Sequence, residues 1–225
     1  MRLFVLLLAI LGSAGIASAA GTYDLLFHKG SLSGLEASPP AKAGKEPPDT
    51  LLYDRVLSAG KKGEAPDSDN IGLQLTGDDN VALILRQGPR MRSLGNFPAS
   101  VGNPLIMYFL ESTLTDVAAQ SGGSPFYIRN RIKEALLKDA EVVPVSVHLG
   151  DRDIAARKVT LRPLEKDKAR DKMGRFAELA LSVTVSEEVP GWLYSLEATV
   201  PEGQGTEDAG YRNVITLTDK AEAKP

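Results

Sequence analysis

The amino-acid sequence predicts an α+β fold: a mainly antiparallel β-sheet, built as a sandwich or an open half-barrel, with a helical hairpin at its centre. Three observations carry this. Apolar residues alternate on both sides of a Gly77-Asp78-Asp79-Asn80 turn, the period-two mark of a hairpin. From about 104 to 138 the apolar spacing becomes helical. From 142 to 218 the alternation returns. Strands, then a helical pair, then strands fit an antiparallel sheet better than alternating βαβ units.

At the N-terminus, Met1 and Arg2 precede an unbroken apolar run, Leu3 to Leu11. Gly12, Ser13 and Gly15 break it, and Ala17-Ser18-Ala19 offers the small residues a signal peptidase requires. Residues 1–19 have the three-part layout of a secretory signal peptide, with an apolar core too short for a permanent membrane span. Cleavage is expected after Ala19, with Ala20 as second choice. Residues 20–218 are expected to form a single β-rich domain, and 219–225 a mobile charged tail.

Within that domain, Tyr23 to Lys29 alternates and reads as a short strand. Glu36 to Thr50 is a loop, because Pro39-Pro40 and Pro47-Pro48 block both helix and ladder. Leu51 to Leu57 is a strand and Ser58 to Asn70 a polar loop. Ile71, Leu73 and Leu75 then face one way, and Val81, Leu83 and Leu85 repeat the pattern on the return strand. Asn103-Pro104 is a cap followed by a proline suited to a first helical turn. Ile106, Phe109, Leu110, Leu114 and Val117 recur at helical spacing, and Gly122-Gly123 ends the run. Ser124-Pro125 starts a second helix by the same device, with Ile128, Ile132, Ala135 and Leu136 as its stripe. Val142–Leu149 and Ile154–Leu161 flank a Gly150 turn. Glu165 to Lys172 alternates in sign and reads as a solvated loop or short surface helix. Phe176 to Ser186 alternates, Pro190-Gly191 turns into Trp192–Val200, and Tyr211–Thr218 is the last strand.

Composition narrows the function. The chain has 225 residues, 43% of them hydrophobic, enough to bury a substantial core. Cysteine count is 0, so disulfides, thiolate metal sites, thiol nucleophiles and lipid attachment to cysteine are excluded. The net charge of -3 leaves no electrostatic footprint for nucleic acid. No membrane span is expected in the mature form. The address implied is export, with the periplasm of a bacterial envelope as the expected compartment and the extracellular space as the alternative.

Candidate chemistry is sparse. There are 2 histidines, His28 and His148, and they are not clustered, so no metal site and no cofactor are expected. Gly30-Ser31-Leu32-Ser33-Gly34 approaches a nucleophile elbow but has Leu32 at the centre. The acidic pairs Asp67/Asp69, Asp78-Asp79, Asp151/Asp153, Glu187-Glu188 and Glu207-Asp208 all fall in expected turns. Asp67 to Gly72 imitates the start of a calcium loop, but Ile71 stands where an oxygen ligand is needed. The helical hairpin is the most specific segment. Gly122, Gly123 and Ser124 offer backbone N–H groups at a helix start, and Tyr127, Arg129 and Arg131 follow within two turns. A carboxylate or phosphate held by that loop and Arg129 is the binding expectation. Plain helix capping, with arginines paired to nearby carboxylates, is the simpler alternative.

A resemblance follows from these residues. Gly102-Asn103-Pro104, Met107, Phe109-Leu110-Glu111 and Gly122-Gly123-Ser124-Pro125-Phe126-Tyr127-Ile128-Arg129-Asn130-Arg131-Ile132 resemble a segment of uncharacterised exported proteins of Gram-negative bacteria. Arg162-Pro163-Leu164 and Met173-Gly174-Arg175-Phe176-Ala177 are similar to later parts of the same group. The resemblance covers about half the chain and implies no activity. Open-barrel periplasmic lipoprotein carriers begin with a helix before their first strand, and a strand at Tyr23–Lys29 sets this chain apart from them. The expected function is a soluble envelope binding or assembly protein for an apolar or amphipathic ligand or an envelope protein partner. The alternative is a hydrolase acting on envelope material, with carboxylates or a histidine assembled by the fold.

Overall fold

A computed structural model describes residues 19–40, 46–59, 63–138, 140–203 and 210–218. The expected signal peptide lies outside the described residues apart from Ala19, as do the expected C-terminal tail and Glu207-Asp208.

Among the described residues nine antiparallel strands form one continuous open sheet. In chain order they are β1 (Leu51–Ser58), β2 (Asp67–Leu75), β3 (Asn80–Gln87), β4 (Arg90–Pro98), β5 (Glu141–Leu149), β6 (Arg152–Leu161), β7 (Ala180–Val185), β8 (Leu193–Val200) and β9 (Tyr211–Leu217). Their order across the sheet is β4-β3-β2-β1-β9-β8-β7-β6-β5. The first and last strands therefore meet in the middle, with Tyr53 opposite Leu217. The helices α2 (Leu105–Ser121) and α3 (Pro125–Leu136) join the two edge strands β4 and β5. The sheet is not a sandwich; helices, and not a second sheet, cover its inner face.

That inner face follows from period two. Leu51 and Tyr53, Ile71 and Leu73, Ile215 and Leu217 project the same way and are buried. The stripe of α2 (Ile106, Phe109, Leu114, Val117) and that of α3 (Ile128, Ile132, Leu136) join them in one core. Each such Leu or Ile contributes ~1.5–3 kcal/mol. The edges are blunted by Pro144 in β5 and by exposed Arg90 and Arg92 in β4.

The helical hairpin forms at the expected place. Asn103 Oδ1 accepts the Leu105 N–H at 3.1 Å, and the Pro104 carbonyl accepts from Met107 and Tyr108. Gly122 follows α2 at φ +68°, a left-handed stop that a Cβ would strain. Pro125 opens α3 after Ser124.

Several expectations are corrected. Tyr23–Lys29 is not a strand; Ala19–Leu26 is a helix, α1, ahead of β1. In so short a window the pairs Thr22/Leu26 and Tyr23/Phe27 compete with the alternation of Tyr23, Leu25 and Phe27. Helical pairing wins, burying Thr22 and Leu26 and stacking the Tyr23 and Phe27 rings at 4.6 Å. The loop expected up to Asn70 ends earlier, because β2 begins at Asp67. Asp67 and Asp69 thus lie in a strand. Asp69 Oδ2 meets buried Arg55 Nη1 of β1 at 3.0 Å, and Asn213 Oδ1 of β9 accepts from Arg55 Nε at 3.3 Å. Asp153 likewise sits in β6, not in a turn. Phe176 belongs to a 3-10 turn, Gly174–Glu178, and the strand after it starts at Ala180. The Glu165–Lys172 segment is only partly solvated, since the Asp167 side chain is 2% exposed.

Candidate functional site

Three helices enclose an apolar crevice of about 210 Å³. Tyr23 of α1 and Phe27 just after it form one wall, Met107, Leu110 and Leu114 of α2 a second, and Ile132 and Leu136 of α3 a third. Tyr23 and Met107 remain 45% and 46% exposed, so the crevice opens to solvent through two large apolar side chains. Its rim carries Glu111, Arg129 and Lys133. Arg129 donates to Glu111 from Nη2 at 2.8 Å and from Nε at 3.2 Å. That pairing holds the Arg129 guanidinium above its usual range. Lys133 makes no ion pair among the described residues.

The wall made by α1 is fixed from behind. Trp192 Nε1 donates to the Leu25 carbonyl at 2.8 Å, and the His28 ring stacks on the indole at 4.3 Å. Trp192 itself sits at φ +72°, an unfavourable region for a bulky residue. The crevice can take an alkyl or aryl group and place one cation beside it. It holds no pair of groups arranged for proton transfer.

The residues singled out in the hairpin separate. Gly122 is exposed, and Gly123 takes the Ser121 hydroxyl as acceptor for its N–H at 3.2 Å. Ser124 makes no side-chain cap bond. None of these three lines the recesses described here. Arg129 belongs to the apolar crevice. Tyr127 and Arg131 lie on the other flank of α3, where the Tyr127 hydroxyl and Arg131 Nη1 both reach Asp167. Arg131 also stacks over the Tyr127 ring, 5.3 Å from its centroid. Burial raises the Asp167 pKa, but the donors from Tyr127, the Ala169 N–H and Arg131 outweigh it and hold the carboxyl below its usual range.

A separate recess, of about 430 Å³, collects His28, Ser31, Ser33, Glu187, Glu188 and Trp192. This is where a fold-assembled hydrolase would have to operate. Among the described residues no hydrogen bond joins the His28 ring to a serine or glutamate there; Ser31 donates its backbone N–H to the His28 carbonyl at 3.3 Å, and its Oγ accepts the Asn103 N–H at 2.9 Å. His148 is exposed and sits against Asp153 at 3.1 Å. Among the described residues no group of three or more potential ligands stands ready for a metal ion, and the calcium-like segment 67–72 is strand. No described helix is long and apolar enough to cross a membrane.

No protein-family model matches the chain, and no curated protein shows significant similarity to it. Its site is therefore argued from chemistry alone. Sequence reasoning missed Tyr23, Phe27 and Met107. The first two were assigned to a strand, and Met107 lies outside the helical stripe because it faces the opening, not the core.

Proposed function

We propose that this chain is exported and acts outside the cytoplasm as a non-catalytic binding protein. In this reading it takes the apolar part of an amphipathic ligand into the crevice between α1, α2 and α3. The observation that carries it is the open apolar recess bounded by exposed Tyr23 and Met107, with unpaired Lys133 on its rim. Burying such a group there removes apolar surface from water, while Lys133 meets an anionic head. A helix ahead of the first strand is also present, the feature that open-barrel periplasmic lipoprotein carriers have; the likeness is one of layout alone. Residues 1–19 supply the export signal.

The test is displacement of an environment-sensitive fluorescent fatty acid from the purified mature protein. Wild type is expected to bind it saturably, and Met107→Asp to abolish binding while leaving the thermal midpoint nearly unchanged, since Met107 is 46% exposed. Absence of saturable binding by wild type, or full binding by Met107→Asp, refutes the reading. A hydrolase centred on the His28 recess predicts instead ester cleavage abolished by His28→Ala.

A further inference from the structure

We propose that the cleft between α3 and the segment 164–172 binds a multiply charged anion of the phosphate-ester or pyrophosphate class. On its own the sequence Glu165-Lys166-Asp167-Lys168-Ala169-Arg170-Asp171-Lys172 alternates in sign and has no directed field. The fold sorts it. Asp167 turns inward and is consumed by the Tyr127 hydroxyl, the Ala169 N–H at 2.6 Å and Arg131 Nη1 at 3.2 Å. Arg170 turns to the backbone, donating from Nη1 to the Ala177 carbonyl at 2.8 Å and the Glu165 carbonyl at 3.3 Å, with Glu178 on its Nη2. Glu165 lines the neighbouring recess, which Lys166 also borders, and exposed Asp171 lines neither.

Lys166, Lys168 and Lys172 line one cleft of about 500 Å³ together with Tyr127, Arg131, Ala169 and the already engaged Asp167. None of the three lysines has an ion pair among the described residues. Arg131 is already shared between Asp167 and Glu134, yet its Nε remains a buried donor without a partner. Three lysines without ion pairs thus border one cleft whose single lining carboxylate is already engaged, on a chain whose net charge is -3. Their mutual repulsion is relieved by an anion in the cleft. A single carboxylate leaves two lysines unmatched, whereas a phosphate ester or pyrophosphate answers all three with oxygens in several directions.

This site is independent of the apolar crevice. Tyr127 and Arg131 are four residues apart on one flank of α3, and Arg129, Ile132, Lys133 and Leu136 occupy the other. The test is calorimetric titration of the mature protein with inorganic pyrophosphate in low salt, with sodium chloride of matched ionic strength as reference. Saturable binding is expected, with Kd raised tenfold or more in Lys166→Gln/Lys168→Gln/Lys172→Gln and unchanged in Arg129→Gln. The thermal midpoint of the triple variant, whose exposed lysines make no ion pair among the described residues, reports that it is folded. A second arm co-sediments both proteins with vesicles of phosphatidylglycerol or phosphatidylcholine. Given pyrophosphate binding, added capture by phosphatidylglycerol that the triple variant loses identifies a lipid headgroup as the source. No such capture identifies a soluble phosphate. Absence of saturable pyrophosphate binding, or equal affinity in the triple variant, overturns the site.

Discussion

Asn103 Nδ2 donates to the Tyr53 hydroxyl at 3.0 Å, joining the residue ahead of α2 to the middle of the sheet. The same nitrogen donates to the Gly191 carbonyl at 3.0 Å, and Asn103 Oδ1 takes the Leu105 N–H. One buried amide therefore ties α2 to β1 and to the β7–β8 turn. Burial pushes the Tyr53 phenol far above its ordinary range, which the Asn103 bond only partly opposes. Asn103→Ala orphans the Tyr53 hydroxyl and the Leu105 N–H and leaves the Gly191 carbonyl with the Leu193 N–H alone, and is expected to cost about 3 kcal/mol, against about 1 kcal/mol for Tyr53→Phe. Urea denaturation measures both; equal costs contradict the hub. Gly191 sits at φ +75°, a conformation that strains any other residue, and a Cβ there would also displace Leu51 Cδ1, 2.4 Å away.

Phe109 is 0% exposed in the core between α2 and the sheet. Phe109→Ala is expected to cost about 3–5 kcal/mol in the same assay, through lost transfer energy and the cavity left behind. A near-neutral result means that the face of α2 is misassigned.

What was legible followed from unambiguous periods. The β2–β3 hairpin alternates over many residues around a turn with the right chemistry. The hairpin of α2 and α3 has prolines at both starts and a glycine at the break. By contrast α1 is eight residues long, so period two and period four fit it equally. Strand β4 was invisible because an edge strand exposed on both faces needs no alternation. The binding residues were half legible. Arg129 and Arg131 were named, but two positions on a helix point to opposite flanks. Asp167, forty residues from Tyr127, is brought to it only by the tertiary fold.

Acid should loosen the contact between α3 and the 164–169 turn. The folded-state pKa of Asp167 lies below its unfolded value, so its contribution is complete above about pH 4, the ordinary carboxylate value, and is lost as pH falls through the lower folded value. Asp167→Asn is therefore expected to be less stable than wild type at neutral pH, with the gap closing below about pH 4. Denaturation of both proteins across that range checks it; a gap that persists in acid assigns the effect to geometry, not charge.

Export is tested by fractionation. A mature form beginning near Ala20 is expected outside the cytoplasm, because the charge, apolar run and small-residue exit of residues 1–19 agree. An intact Met1 terminus in the cytosol ends the envelope reading, and with it the choice of envelope ligands as probes.

The last prediction separates the crevice from the fold that carries it. Helix α1 is too short to hold itself together in water. It is held by buried Thr22 and Leu26 and by the Trp192 Nε1 bond to the Leu25 carbonyl. Trp192→Phe keeps an aromatic ring beside His28 at the same strained φ, but removes that donor and leaves the carbonyl unpaired. The global cost is expected to be about 1 kcal/mol. The local cost falls on α1 and the residue after it, where Tyr23 and Phe27 form one wall of the crevice. Hydrogen exchange across residues 21–28 should accelerate while β1 and β9 at the sheet centre keep their protection. Affinity for the fluorescent fatty acid should drop several-fold, and pyrophosphate affinity should not change, because α1 contributes nothing to that cleft. Unchanged fatty-acid affinity with accelerated exchange would show that α1 is not a wall of the working site.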